Sequence, residues 1–142
     1  ATTLERIGDL GKNIARRALV LSDTKKVNLT SSIVQMGKAT RKQVEAVMAA
    51  HLTRDADLAV EIWENDIDLD DMYNNIFREV VTYMMEDPRQ ISAGSQLLFI
   101  AKNLERIGDH TTHISEMIYY VVNGTPLGDD RPKGEPLAFS GE

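Results

Sequence analysis

The chain has 142 residues, a formal net charge of −6 and no cysteine, which suffices for one domain with a shared core and excludes a disulfide framework, thiolate metal sites and cysteine nucleophiles. The acidic balance argues against nucleic acid as a partner, in spite of the small basic clusters Arg16-Arg17 and Lys25-Lys26. No apolar run approaches the roughly 20 residues that span a bilayer, and the N-terminus lacks the charge-then-apolar order of a signal peptide, so a soluble domain is expected, with the cytoplasm the compartment that the absence of cysteine suggests.

From Leu4 to about Leu21, the residues Leu4, Ile7, Leu10, Ile14, Ala18 and Leu21 recur at threes and fours, which predicts a first helix. A polar connector, Ser22 to Lys26, separates it from a second helix ending near Thr53, whose stripe is Ile33, Gly37, Thr40, Val44, Val47 and Met48. The small Gly37 and Ala39 would admit a close neighbour. Asp55 is the expected N-cap of a third helix, from about Ala56 to Met85, that turns Ala59, Ile62, Leu69, Tyr73, Ile76, Val80 and Met84 inward. Asp87-Pro88 ends it, because a residue before proline is pushed out of the α region. A fourth helix is predicted from Ser92 or Ser95 to a stop at Asn123-Gly124. Residues 125–142, rich in proline, glycine and charge, are expected to be disordered. No window alternates apolar and polar residues as a strand does, so the fold class is all-α, an antiparallel helix bundle of four long helices.

One string occurs twice, a hundred residues apart: Leu4-Glu5-Arg6-Ile7-Gly8-Asp9 and Leu104-Glu105-Arg106-Ile107-Gly108-Asp109. The repetition marks a duplicated unit. In each copy the acids lie four apart, on one helical face, where like charges repel and a cation is expected to meet them. On the third helix Asp66 and Asp70 interrupt the inward arc that carries Ala59, Ile62, Tyr73 and Phe77, while Asp68 and Asp71 point to solvent. On the fourth, Glu105, Asp109, Thr112 and Glu116 share a stripe with Leu98 and Ala101. If these helices are antiparallel neighbours, Asp66, Asp70, Glu105 and Asp109 converge on a patch suited to a hard cation such as Mg, Ca, Mn or Fe. The competing reading is a set of surface salt bridges with Arg6, Arg16, Arg78, Lys102 and Arg106. Gly8 and Gly108, each costing about 1 kcal/mol inside a helix, are expected where another group comes close. His110 and His113 are left outside the site. No phosphate loop, convincing Ser/His/Asp arrangement or His-Glu-x-x-His string is present, so other chemistry is only weakly signalled. Trp63, Tyr83, Met84, Met85, Tyr119 and Tyr120 are assigned to core or interface.

The duplicated Leu-Glu-Arg-Ile-Gly-Asp string, the acids of Asp66-Ile67-Asp68-Leu69-Asp70 and the segment Thr82-Tyr83-Met84-Met85-Glu86-Asp87 together resemble the PhoU family of phosphate-uptake regulators, over residues 3 to 124. The resemblance implies tandem three-helix bundles that bind Fe, Zn, Mn or Mg through acid-x-x-x-Asp motifs. It assigns Asp66, Asp70, Glu105 and Asp109 to the metal site of a second bundle, and Glu5 and Asp9 to half of a first. By the same resemblance, residues 1–22 are the last helix of a truncated first repeat, 23–27 a linker, 28–124 the second three-helix repeat and 125–142 the tail. The missing initiating Met fits a processed or cut chain. The orphan first helix is expected to pack on the other three or on a second copy, as a homodimer. The implied role is that of a non-enzymatic negative regulator of the phosphate-starvation response, an adaptor between the phosphate ABC transporter ATPase and a sensor histidine kinase. The alternative is a carboxylate-bridged dimetal oxidoreductase, although Thr112 stands where an acid-x-x-His motif would place histidine. A third reading is a metal-free helical module whose acidic stripes bind a basic partner.

Overall fold

A computed structural model of the chain describes residues 2–22 and 30–128. Four helices make up this part: α1 (Thr2–Ser22), α2 (Thr30–Thr53), α3 (Ala56–Glu86) and α4 (Ile91–Asn123), with a single 3-10 turn, Pro88–Gln90, between the last two. The all-α class holds, and none of the described helices is long and apolar enough to cross a membrane. The expected linker, 23–27, lies outside the described residues. Of the expected tail, residues 125–128 carry no helix and the remainder also lies outside.

Local chemistry accounts for the helix ends. Asp55 caps α3 as expected, its carboxylate accepting from the Leu58 N–H at 3.0 Å. Arg54 closes the α2–α3 turn in the left-handed region, with φ 53°. At the far end Asp87 ends α3 and also caps the 3-10 turn, accepting from the Arg89 N–H at 3.1 Å and from its guanidinium at 3.0 Å. Pro88 fits the first turn because its missing N–H would have no helical partner there. The chain therefore enters α4 directly at Ile91, one to four residues before the expected serine start, with Asp87 capping the 3-10 turn that leads into it. Gly124, at φ 74°, ends α4 with its N–H on the Tyr120 carbonyl at 2.8 Å.

Helices α2, α3 and α4 pack on one another, and α1 lies on α4 alone. Of the three helices on which the first was expected to pack, it touches one, and this one-sided contact leaves none of its described side chains fully buried. Arg17 of α1 donates to Gln96 Oε1 at 3.2 Å and stacks 4.2 Å from the Phe99 ring centre. At the other end of the same helix the charge of Arg6 acts on His110. The two helices thus run antiparallel, with Arg6 in one copy of the repeated string near His110, next to the other copy. The main core joins Met36, Leu69, Ile76, Val80, Leu97 and Leu104, and a second cluster joins Val47, Ile62 and Ile118. Each fully buried aliphatic side chain contributes about 1.5–3 kcal/mol.

Two faces differ from expectation. In α2 the buried stripe is Ile33, Met36, Thr40, Gln43, Val47 and Ala50, while Met48 is 49% exposed. A glutamine enters this stripe because its amide donates to the Ile62 carbonyl at 3.3 Å, a partner that apolar periodicity does not register. In α3 Phe77 is 44% exposed. The buried arc is centred nearer Ile62, Leu69, Ile76 and Val80 than Asp66, and Phe77 sits at its edge, tilted against Tyr73 with ring centres 6.2 Å apart.

The glycines separate clearly. A Cβ added at Gly108 would stand 2.7 Å from Leu69 Cδ1, and one at Gly94 would stand 2.6 Å from Met84 Cγ and Sδ. These two glycines let α3 and α4 approach. Gly8 and Gly37 meet nothing within 4 Å, so close approach is not their role among the described residues; α1 has a neighbour on one side only, and Gly37 sits off the buried stripe of α2.

The two copies of the string should consequently respond to alanine with opposite signs. Gly8→Ala gains helix propensity with no clash and is expected to raise stability by about 0.5–1 kcal/mol. Gly108→Ala gains the same propensity but overpacks against buried Leu69, which typically costs about 1–3 kcal/mol, and should lower stability. Urea unfolding of the two variants checks this. The Asp87 carboxyl is held below its ordinary value chiefly by the hydrogen bond from the Arg89 side chain. A depressed folded value means a stabilisation present above the ordinary carboxylate range and lost as pH falls through the folded value. The melting-temperature gap between wild type and Asp87→Asn should therefore be widest above about pH 4 and close toward pH 2.

Candidate metal centre

Gly108 immediately precedes Asp109, and Leu69 immediately precedes Asp70. The contact between Gly108 and Leu69 therefore sets the spacing of the carboxylates that follow them. Asp66 and Asp70 reach the seam from α3 and Asp109 reaches it from α4, with one carboxylate oxygen of each within 4.8 Å of the others. Asp66 is 1% exposed, Asp70 is 8% exposed and Asp109 is half-buried. Asp68 and Asp71 are exposed, as expected. Around the seam the polar groups of α4 are turned back onto their own helix: the Thr111 and Thr112 hydroxyls both donate to the Gly108 carbonyl, at 2.7 and 3.0 Å. The Thr112 position is thereby closed and fully buried.

The donor set fits a hard cation. Ligand oxygens about 2.3–2.6 Å from a calcium-sized ion lie at most about 5 Å apart, and those around a magnesium-sized ion somewhat closer. Three oxygens mutually within 4.8 Å can therefore share one ion with small rotamer adjustments. Three carboxylates in a poorly solvated seam repel one another, and positive charge between them relieves that cost.

The remaining expected ligands are placed differently. Glu105 lies one turn from Asp109 on α4, outside the three-acid group; its carboxylate accepts from Lys102 Nζ at 2.7 Å. Lys102 in turn stands 5.1 Å from the centre of the Tyr73 ring on α3. Its ammonium is held above the ordinary lysine range chiefly by the hydrogen bond to Glu105, with burial opposing. Glu5 and Asp9 are exposed on α1 and join no group of three acids among the described residues. His113 is exposed, 3.9 Å from Glu116, and His110 is held below its usual value, first by burial and then by Arg6 and His113, against the pull of Asp109.

Apolar periodicity assigned Trp63 to core or interface, yet it precedes Asp66 by three and Asp70 by seven, the spacing that puts all three on one helical face. Its indole N–H is buried and finds no partner among the described residues. That spacing was readable from the sequence, and it makes Trp63 a neighbour of the seam as well as a packing residue. Lys102 was read as a surface salt-bridge partner, and only the fold shows that it closes the next layer of the same seam.

An all-α bundle with carboxylates gathered between two of its helices is the class of protein that fold and site define. Residues 33–118 match the family model described as the PhoU domain, and the chain belongs to that family. It is 47% identical over 137 residues to a phosphate-specific transport system accessory protein PhoU homolog of Caulobacter vibrioides, covering 96% of this chain and 60% of the relative. A relative of the same description from Rhizobium meliloti is 41% identical over 142 residues, covering 99% of this chain and 60% of its own length. The crystal structure of PhoU from Pseudomonas aeruginosa superposes with a TM-score of 0.84 at 39% identity, over 87% of this chain and 60% of that one. The chain thus spans about three-fifths of the length of these relatives, which are named as accessory proteins of a transport system and not as enzymes.

Trp63 is the single tryptophan of the chain. Adding Mn²⁺ to the intact chain should change its emission saturably, and Asp66→Asn combined with Asp109→Asn should abolish the change. Emission that stays constant through saturation with Mn²⁺ would place the ion away from this seam.

Proposed function

We propose that the chain is the metal-binding part of an accessory regulator of phosphate uptake. Asp66, Asp70 and Asp109 would hold the ion, with Glu105 as a further ligand. The observation that carries the reading is the convergence of three carboxylates on the α3/α4 seam in a chain of this family. Oxygen-only donors favour Mg, Mn or Fe; Zn more often takes nitrogen or sulfur ligands. The bound ion would supply positive charge that joins α3 to α4, so its chemistry here is structural or regulatory.

In this reading α2, α3 and α4 form one three-helix repeat, and α1 belongs to a second unit marked by the repeated string. Glu5 and Asp9 would serve as ligands only when further acids face them. The protein would act in the cytoplasm as a negative regulator of the phosphate-starvation response, contacting the phosphate transporter ATPase and a sensor histidine kinase, with homodimerisation covering the open side of α1. The relatives' description as accessory proteins of phosphate-specific transport supports the first of these contacts. A dimetal oxidoreductase is less well supported: an acid-x-x-His pair would need histidine at Thr112, whose hydroxyl is committed to the Gly108 carbonyl.

Elemental analysis of the intact chain, purified without added metal, should find metal in a fixed ratio to protein. Asp66→Asn with Asp109→Asn should reduce it at least about tenfold while the helical signal persists, without turnover of oxygen or peroxide in either protein. Carrying the double substitution into the whole protein in cells should switch on the phosphate-starvation response in phosphate-rich medium. Protein that neither retains nor binds metal would overturn the reading.

A further inference from the structure

We infer that Lys102 is a built-in competitor for the metal, an internal cation that holds Glu105 out of the three-carboxylate group until an ion displaces it. The inference rests on the metal reading of the α3/α4 seam and goes beyond it by assigning a role to a residue that is not a ligand.

Glu105 and Asp109 are four apart on α4 and project from one face. Nevertheless, the carboxylates that gather within 4.8 Å are those of Asp66, Asp70 and Asp109, and Glu105 is absent from the group. Its side chain is only 15% exposed, so solvation does not account for its position, whereas the 2.7 Å bond from Lys102 Nζ does. The lysine is itself held from across the seam, its ammonium 5.1 Å from the centre of the ring of Tyr73, three residues after Asp70. Lys102, Glu105 and Tyr73 thus form the next layer of the seam, one turn from the acids. A cation among Asp66, Asp70 and Asp109 attracts Glu105 toward that group, and the ammonium attracts it away. As the carboxylate turns from the ammonium toward the ion, binding of metal and release of Lys102 are coupled. The freed ammonium, already 43% exposed as a side chain, then faces solvent at the rim of the α3/α4 seam. Metal occupancy is converted into a change of surface charge one turn away.

The test is calorimetric titration of Mn²⁺ into the intact chain and its variants, each first shown to melt cooperatively. Lys102→Met removes the competitor and should tighten binding by about fivefold, the scale of a half-exposed ion pair. Lys102→Arg keeps the charge and the hydrogen bond and should bind as wild type does, or more weakly. In a Glu105→Gln background the Lys102→Met substitution should change affinity by less than about twofold. An unchanged or weakened affinity in Lys102→Met overturns the inference. So does an equal gain with and without Glu105, which would reduce Lys102 to a general electrostatic influence. These outcomes differ from failure of the metal reading itself, in which wild type binds no Mn²⁺ or Asp66→Asn with Asp109→Asn binds it as well as wild type does.

Discussion

The contact on which the rest of this structure depends is the approach of the Leu69 side chain to the backbone of Gly108. Any side chain at position 108 would intrude on Leu69, as a Cβ there lies 2.7 Å from its Cδ1. A second contact of the same kind, Met84 over Gly94, holds the two helices beside the turn that joins them. Around the first of these contacts α3 and α4 run close enough for Asp66, Asp70 and Asp109 to meet. The glycine is unfavourable to the helix that contains it, and the closer packing it permits offsets that cost.

This geometry has an electrostatic consequence. Acids that follow the close contact, Asp70 after Leu69 and Asp109 after Gly108, are drawn into the seam together with Asp66. The fold thus concentrates negative charge where water is scarce, an arrangement that is costly without a positive counterpart. One turn away the same seam contains such a counterpart, Lys102 on Glu105 over Tyr73. An ion among the aspartates would be the other. With an ion bound there, Glu105 would lie between that ion and the Lys102 ammonium.

Much of the fold was legible because helical periodicity, the Asp55 cap, the Asp87-Pro88 break and the Gly124 stop are local signals. Asp66 and Asp70 were legible as acids inside an apolar arc, and Asp109 as the end of a repeated string. What could not be read was relational. Gly8 and Gly108 stand in identical hexapeptides, yet one is open and the other occluded, because α1 has one neighbour and α4 has three. Gln43 lies in the α2 core through a bond to a carbonyl nineteen residues away. Glu105 looked equivalent to Asp109 until the rotamer set by Lys102 separated them.

The central claim is that the acids of the α3/α4 seam hold a hard cation. Anomalous diffraction from crystals of the intact chain grown with Mn²⁺ tests it most directly, since it locates the ion without assuming its ligands. A peak bounded by carboxylates of Asp66, Asp70 and Asp109 is the predicted result. A fully ordered seam with no peak there, or manganese found only on exposed acids such as Glu5 and Asp9, would contradict the claim.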